Sequence, residues 1–390
     1  MKILIAHNFY QSTMPSGENT AVLADVTLLR EAGLDVVELF RHSDDLSHAN
    51  RRDRLMAAVS ATRSRAKLHQ YREYLDHVRP DVVHVHNLLP LIGPDLLRAA
   101  YDLGIPVVQT MHNYRHSCIN GLHVRDGSAC DDCVGRKIPV PGIAHSCYRS
   151  SRLQSLAMAT SHALNFETWR EIDCVLALTP FMQNRLVDSG FSPEQVRLRP
   201  NFVHDPGPPT PIGRDFAFIG RLDVAKGVPT LLDAWRRAAL PRRRLLVAGD
   251  GPLRGRLEQE DSSSSTVRYL GRLSVTEIQR LLDKSAGIVI PSTFYEGFPL
   301  VLAEAAAKGR AAIVRDGGST ASVVTPTTGW VFNHGSEGLA ALLQSVTDDQ
   351  LRQRGSGARR FFEQNLTPGE SLRLLLETYA SVVGSRRRNR

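Results

Sequence analysis

At 390 residues, with 42% hydrophobic and 23% charged side chains, the chain is long enough for two ordinary domains and too apolar to be disordered. No apolar run reaches the length of a bilayer span, and the opening Met1-Lys2-Ile3-Leu4-Ile5-Ala6-His7 is too short and strand-like for a signal peptide, so a cytoplasmic location with reduced thiols is expected. The net charge of +8 asks separately what the basic residues meet.

Residues 2–7 predict a first parallel strand. A loop over 8–19 follows, containing Pro15-Ser16-Gly17-Glu18, then a helix over 20–32 stopped by Gly33, and a second strand over 34–40. A strand, a small-residue loop and a helix in that order present backbone amides to phosphates, and Gly17 lets a ligand come close. The stretch 49–79 is crowded with Arg51, Arg52, Arg54, Arg63, Arg65, Lys67 and Arg72, interleaved with Leu55, Met56, Val59, Leu68, Tyr71, Leu75 and Val78. It predicts one or two basic amphipathic helices, whose charged face is either simply solvated or peripheral to an anionic membrane. Nucleic acid is not an expected partner, because no recognition helix or base-stacking motif accompanies the charge.

Residues 81–87 predict a further strand, with His84 and His86 on one face by its period of two. It runs into Asn87-Leu88-Leu89-Pro90, where a ligand crevice is expected. A strand over 105–110 leads to Met111-His112-Asn113-Tyr114-Arg115; a lone histidine in such a place is more often structural than functional. Cys118, Cys130, Cys133 and Cys147 then fall in a stretch rich in Gly, Pro and Asp, too poor in apolar residues to hold a shape without a staple. The C-x(2)-C pair with two more thiols nearby fits a four-thiolate structural zinc site, with disulfides and free thiols as alternatives. Cys174 reads as a buried strand thiol. Residues 196–203 close a first domain, and the proline-rich 204–214 form a linker.

The alternation restarts with a strand over 215–222 that ends in G-R-L-x(3)-K-G, namely Gly220, Arg221, Leu222, Lys226 and Gly227. A planar guanidinium and a point-charge ammonium at the end of a strand suit a diphosphate. Strands over 244–249 and 267–270 end in Gly249-Asp250-Gly251-Pro252 and Gly271-Arg272-Leu273. The apolar run 286–290 delivers the stretch 291–307, P-S-T-F-Y-E-G-F-P-L-V-L-A-E-A-A-A. Pro299 suits the first position of a helix over 300–307, and Gly297 before it permits close backbone approach. The open N–H groups of that helix suit a diphosphate, and Glu296 and Glu304 can reach two parts of one ligand that carries both phosphates and hydroxyls. Taken alone, the two glutamates are also compatible with a surface charge and a helix charge. Helices over 337–347, 348–363 and 368–383 finish the chain, with Arg386-Arg387-Arg388-Asn389-Arg390 as a disordered end.

The E-x(7)-E pattern from Glu296 to Glu304, inside Y-E-G-F-P-L-V-L-A-E-A, resembles that of the retaining glycosyltransferases of family 4. That resemblance implies the GT-B fold, two Rossmann-like α/β/α domains facing each other across a cleft. It places Glu296 at the donor sugar, Glu304 at the nucleotide ribose, and Gly220, Gly297 and Phe298 against the donor. Arg221 and Lys226 match the family's diphosphate-binding pair at the same spacing. The segments ending at Asn87 and His112 resemble its H-x-H-N and T-x-H motifs, which implies that His112 meets the donor sugar from the opposite domain. The implied division is an acceptor domain over 1–203 with the cysteine insertion at 118–147, a linker over 204–214, a donor domain over 215–365, and a C-terminal segment 366–390 returning to the first domain. Some members carry a similar cysteine pattern, which favours the staple. The chain departs from the pattern at Ser16, where a second glycine is usual, at Arg310-Ala311-Ala312, and in Gly317-Gly318-Ser319, which lacks an acidic residue.

The reaction so implied moves a hexose-type sugar from a nucleotide-sugar donor to a hydroxyl of a saccharide, lipid-linked or small-molecule acceptor, with retention. Arg221 and Lys226 stabilise the leaving diphosphate, so no metal or other cofactor is expected at the donor, and no carboxylate pair acts as in glycoside hydrolysis. Two rivals remain: an epimerase or phosphorylase of the same architecture, and a basic, zinc-stapled nucleic-acid-binding protein, which explains neither strand-end motif.

Overall fold

The computed structural model describes residues 1–12, 16–46 and 63–388. The chain forms two compact units, one of Met1–His123, Asp131–Pro200 and Ser371–Arg390, the other of Val124–Cys130 and Asn201–Glu370.

In the first unit, strands β1 (Lys2–Phe9), β2 (Asp35–His42), β3 (Val82–Val85), β4 (Val107–Thr110), β5 (Cys174–Ala177) and β6 (Val196–Leu198) form one parallel sheet in the order β2-β1-β3-β4-β5-β6. Ile3, Leu4, Ile5 and Ala6 are all fully buried, which is why β1 reads as an unbroken apolar run: both faces of a parallel sheet are covered. Helix α1 (Gly17–Glu31) packs Val22, Val26 and Leu29 into this core. It starts earlier than expected, with extended Ser16 as its N-cap, so Gly17 is the first helical residue and not a loop residue. The C-terminal helix Pro368–Arg388 adds Leu375, Tyr379 and Val382 to the same core. A buried ion pair ties the layers together: Arg199 donates from Nη1 to Asp25 Oδ2 at 3.0 Å, from Nη2 to Asp25 Oδ1, and to Ser371 Oγ at 2.6 Å.

Of the basic stretch, Arg51, Arg52 and Arg54 with Leu55, Met56 and Val59 lie outside the described residues. The described part forms α2 (Arg65–Val78), capped by the Ser64 side chain, with Tyr71 and Leu75 buried. Three cations of this stretch bind the protein itself: Arg63 donates to Leu164 O at 2.7 Å, Lys67 to Leu91 O at 2.5 Å, and Arg72 Nε to Asp102 Oδ2 at 2.8 Å. Helix α3 (Arg152–Leu164) inverts the usual pattern, burying Ser155, Ala159 and Ser161 while Leu153 is 76% exposed.

Among the described residues no group of three or more His, Cys, Asp or Glu is arranged to hold a metal ion. Polar and apolar contacts help to hold the segment with Cys118, Cys130, Cys133 and Cys147. His123 is fully buried, with Nε2 at 2.7 Å from Ser117 Oγ and Nδ1 at 3.1 Å from Asp131 Oδ1, and Arg185 pairs with Asp131 Oδ2 at 2.7 Å. Gly142 packs so closely on Ile119 that a Cβ there would lie 2.6 Å from the Ile119 side chain. Val124–Arg125 and Ser128–Ala129 form a small antiparallel hairpin.

In the second unit, β7 (Asp215–Ile219), β8 (Leu245–Ala248), β9 (Val267–Tyr269), β10 (Ser285–Ile290), β11 (Ala311–Arg315) and β12 (Gly329–Phe332) form a second parallel sheet, ordered β9-β8-β7-β10-β11-β12. Its core gathers Phe216, Trp235, Leu245, Val289, Ile313, Leu339 and Leu351. Arg310, one of the unusual residues of the sequence, is almost fully buried and donates to Thr210 O at 3.0 Å and Leu282 O at 2.8 Å. It fastens the proline-rich segment to the second unit. Arg359 does the same through Asp205 at 2.7 Å.

Candidate functional site

Two strand ends of the second unit meet at the centre of its sheet, where β7 and β10 are neighbours. The turn after β7 enters α4 (Val228–Ala238) at Gly227, whose φ of +74° is the left-handed region. A Cβ on Gly227 would sit 2.0 Å from Pro291 O, so only glycine lets this turn rest on the start of the 291–307 segment. Thr293 N donates to Ala225 O at 2.8 Å and seals the contact. Gly249, at φ +146°, allows the same closeness on the other side, where a Cβ would lie 1.8 Å from Gly220 O.

This packing places Lys226 Nζ 2.6 Å from Glu296 Oε2, across 70 residues of chain. Glu296 is buried, and its other oxygen accepts from Ser292 Oγ. The Lys226 amide donates to Asp223 Oδ1 at 2.7 Å, and Asp223 Oδ2 pairs with Arg221 Nη2 at 2.5 Å. The Arg221 guanidinium is thus paired, although the side chain stays 58% exposed. Lys226 Nζ also lies 5.3 Å from the centre of the Phe294 ring. Beyond Glu296 the chain passes Gly297 and the buried Phe298, whose carbonyl accepts from Asn201 Nδ2 at 3.3 Å. Pro299 is the N-cap of α5 (Leu300–Ala307), one position before that expected, and no side chain caps this helix. Glu304 lies within α5, and burial pushes its carboxyl above the usual carboxylate range. The arrangement offers one exposed guanidinium and one ammonium, each already matched to a carboxylate, and an uncapped helix start. Together these suit an anion with hydroxyls attached.

His112 and Gly17 lie in the first unit. There a row of imidazoles runs along the strand ends: His84 Nδ1 is 2.7 Å from the Tyr379 hydroxyl and Nε2 is 2.8 Å from Thr110 Oγ1, while His86 Nδ1 is 2.9 Å from His112 Nε2. The rings of His84 and His86 stack at 4.6 Å, as the two-residue period predicts. Burial, with smaller pushes from His7 and Arg199, lowers His112 to about 3. Burial likewise lowers His7 to about 4 and takes His84 and His86 well below the usual range. All four are neutral imidazoles at neutral pH.

A pocket beside them is lined by His86, Asn87, His112, Asn113, Arg115 and Glu18. Sequence reasoning assigned Glu18 no role: the helix is expected from residue 20, and a lone carboxylate in the loop before it carries no signal. Instead its Oε2 accepts from the Tyr10 hydroxyl at 3.1 Å and from Asn113 Nδ2 at 3.5 Å. Burial pushes the carboxyl up to about 7, against the pull of Arg115. Ser292 and Asp223 were missed for a different reason, since short polar residues in a loop carry no signal until the loop is folded.

Comparison with known proteins agrees with this geometry. The family model Glycosyltransferase Family 4 matches residues 17–205, and that of Glycosyl transferases group 1 matches residues 213–349. The chain is 29% identical over 300 residues to glycogen synthase of Mycobacterium tuberculosis, an alignment that covers 72% of this chain and 64% of that protein. Among solved structures, sucrose-phosphate synthase from Thermosynechococcus elongatus superposes with a TM-score of 0.71 at 17% identity, covering 98% of this chain and 99% of the other. HepE of Anabaena, solved in complex with UDP, gives 0.66 at 17% identity, covering 98% and 100%. With both halves matched in succession by glycosyltransferase family models and two parallel-sheet α/β units of this kind, the chain has the GT-B fold and resembles the glycosyltransferases along most of its length.

Proposed function

We propose that the protein transfers a hexose from a nucleotide-diphosphate sugar to an acceptor hydroxyl, with retention at the anomeric carbon, as the family 4 pattern implies. The observation that carries this reading is the contact of Lys226 with Glu296, built by Gly227 resting on Pro291. An incoming diphosphate competes for Lys226 and draws on Arg221, and this frees Glu296 to accept hydrogen bonds from the sugar hydroxyls. Glu304 accepts from the ribose, and the backbone around Gly220, Gly297 and Phe298 lies along the donor. His112, neutral at working pH, hydrogen-bonds the transferred sugar, and Gly17 leaves room at the start of α1.

In the reaction the bond from the anomeric carbon to the leaving phosphate oxygen breaks, and the bond to the acceptor oxygen forms on the same face. The acceptor proton passes to the departing phosphate. Arg221 and Lys226 stabilise the charge that develops there, so their contribution is larger in the transition state than in the bound donor. The UDP in HepE, and a relative over part of the chain named as a GDP-mannose-dependent mannosyltransferase, support a nucleoside diphosphate as leaving group. The acceptor is a saccharide, lipid-linked or small-molecule hydroxyl, and the cytoplasm, where nucleotide sugars are at hand, is the proposed location.

The test is the melting temperature with UDP-glucose, GDP-mannose and ADP-glucose, for the protein and for Lys226→Ala. A ligand that binds only the native state raises it with concentration. One nucleotide family is expected to raise it, with the shift lost in the variant while the circular dichroism stays the same. No shift with any of the three, or full turnover by Lys226→Ala, would sink the reading.

A further inference from the structure

Helix α3 turns its leucines outward. Leu153, Leu156 and Leu164 share one face with the exposed Ala157 and Thr160, at helical spacing, while the small Ser155, Ala159 and Ser161 take the inward positions. The short helix Val140–Ala144 packs beside α3 and adds Val140, with Ile138 just before it. These five large apolar side chains are between 46% and 76% exposed. His162 Nδ1, 3.2 Å from Lys137 O, holds the Ile138 end against the second half of α3. The Tyr148 amide, 3.0 Å from Ser155 Oγ, holds Arg149 against its first turn. A single exposed apolar residue needs no explanation, but a group of them on adjoining helices marks a contact surface.

Charge says what this surface meets. From Cys133 to Phe166 the chain holds Arg136, Lys137, Arg149 and Arg152 and no acid, although Asp and Glu supply 40 of its 390 residues. All four cations are exposed. Lys137 pairs with Glu167 at 3.1 Å, and Arg136 donates to Asp132 O at 2.7 Å. Arg149 lies 5.4 Å from the centre of the Tyr148 ring, and among the described residues neither it nor Arg152 has a carboxylate partner. Leucines flanked by cations, with a tyrosine beside them, suit the boundary of a bilayer: the apolar groups reach the acyl chains and the cations meet lipid phosphates. A second copy of the chain fits worse, because a two-fold contact presses the cations on their own copies. Nucleic acid would leave the leucines in water. Around α2, by contrast, Arg63, Lys67 and Arg72 are engaged within the protein.

We propose that the face of Ile138, Val140, Leu153, Leu156 and Leu164, flanked by Arg149 and Arg152, docks on the anionic surface of a lipid bilayer. The contact is peripheral, since no helix among the described residues is long and apolar enough to cross a membrane. The cations draw the face to the headgroups, and the leucines enter between them and add the part of the affinity that salt does not screen. The proposal stands independently of the transferase reading.

The experiment floats the full chain with vesicles of phosphatidylcholine, and with vesicles of phosphatidylcholine and phosphatidylglycerol in equal parts, at low and high salt. Binding is expected to the mixed vesicles, weaker at high salt, and to be nearly lost on phosphatidylcholine alone. Leu153→Ser with Leu156→Ser, and separately Arg149→Gln with Arg152→Gln, are each expected to weaken it by about tenfold or more. Both pairs lie on the surface, so circular dichroism and melting temperature are expected to stay those of the wild type. Val275→Ser, at a comparably exposed site of the second unit, and the triple change of Arg51, Arg52 and Arg54 to Gln are expected to leave binding unchanged. Absence of binding to the mixed vesicles, or full binding by the leucine variant, overturns the proposal. So does a loss seen only in the Arg51, Arg52 and Arg54 variant. A dimer in sedimentation that the leucine variant abolishes, with no vesicle binding, gives the face to a second copy and overturns it as well.

Discussion

Lys226 shows how one residue joins two motifs. Its ammonium is 2.6 Å from Glu296, and its backbone amide is fixed by Asp223. Under the proposed transfer, Lys226→Ala removes a cation from the leaving group while the Asp223 contact to its backbone amide can remain. Turnover is expected to fall by about a hundredfold to a thousandfold, the range for losing one group that stabilises developing charge. Steady-state kinetics with the donor identified by thermal shift would check this; a fall of less than tenfold contradicts the role. Glu296 has a second consequence: because it occupies Lys226 in the absence of ligand, Glu296→Gln is expected to weaken sugar recognition while leaving binding of the free nucleoside diphosphate equal or tighter. Calorimetry with UDP and with UDP-glucose separates the two. E-x(7)-E was legible because both glutamates sit in one stretch of local sequence. Glu18 was not, because its meaning lies in Tyr10, Asn113 and Arg115, which fold around it.

At the scale of elements, Gly227 and the Asp25–Arg199 pair carry the clearest tests. Gly227→Ala places a Cβ at positive φ and against Pro291 O, so the turn must shift. A loss of about 1–3 kcal/mol of stability is expected, from strain at a left-handed position, together with weaker nucleotide binding. Urea unfolding and the thermal shift measure the two effects. Asp25 and Arg199 are both almost fully buried, and Arg199 also reaches Ser371. Asp25→Ala leaves a buried guanidinium without its carboxylate and is expected to cost about 3–5 kcal/mol in the same unfolding experiment. A cost below about 1 kcal/mol would mean that water or rearrangement solvates Arg199. The strands were legible in the sequence, since a parallel strand covered on both faces must be largely apolar, as Ile3–Ala6 in β1 and Ile288–Ile290 in β10 are. Helix α3 was not legible in its orientation: its leucines point outward because Ser155 is called inward to accept from the Tyr148 amide at 3.0 Å.

At the scale of the whole molecule, buried histidines set the response to acid. His7, His84, His86, His112 and His116 all have values lowered by burial. Between 6.5 and their folded values, of about 4 for His7 and about 3 for His112 and His116, the unfolded chain binds protons that the folded chain refuses. Their stabilising contribution is therefore present above 6.5 and is lost as pH falls through that window. Glu18 acts in the opposite sense: raised from 4.5 to about 7, it favours the folded state at low pH and loses that contribution as pH rises from 4.5 to 7. Burial also raises Glu304 and Asp95, which act in the same sense as Glu18, but the five histidines outnumber these carboxyls, so the melting temperature is expected to be lower at pH 5 than at pH 7. Glu18→Gln, which removes the buried ionisation, is expected to raise it at pH 8. Scanning calorimetry across this range decides both, and a flat profile would show the histidines to be solvated.

The sequence by itself determined the two α/β halves, the strand ends and the motifs at G-R-L-x(3)-K-G and E-x(7)-E, because apolar runs, glycines at turns and residues a few positions apart are local properties of a chain. Only the tertiary structure decided that Lys226 pairs with Glu296, that Arg310 clamps the proline-rich segment, and that Glu18 keeps one buried carboxyl oxygen unpaired among the described residues. It also decided that the insertion with Cys118, Cys130, Cys133 and Cys147 buries His123 between Ser117 and Asp131. The physical reason is common to all four. Burial and pairing are set by groups distant in sequence, so a side chain's charge state and its partners become defined only when the fold brings those groups together.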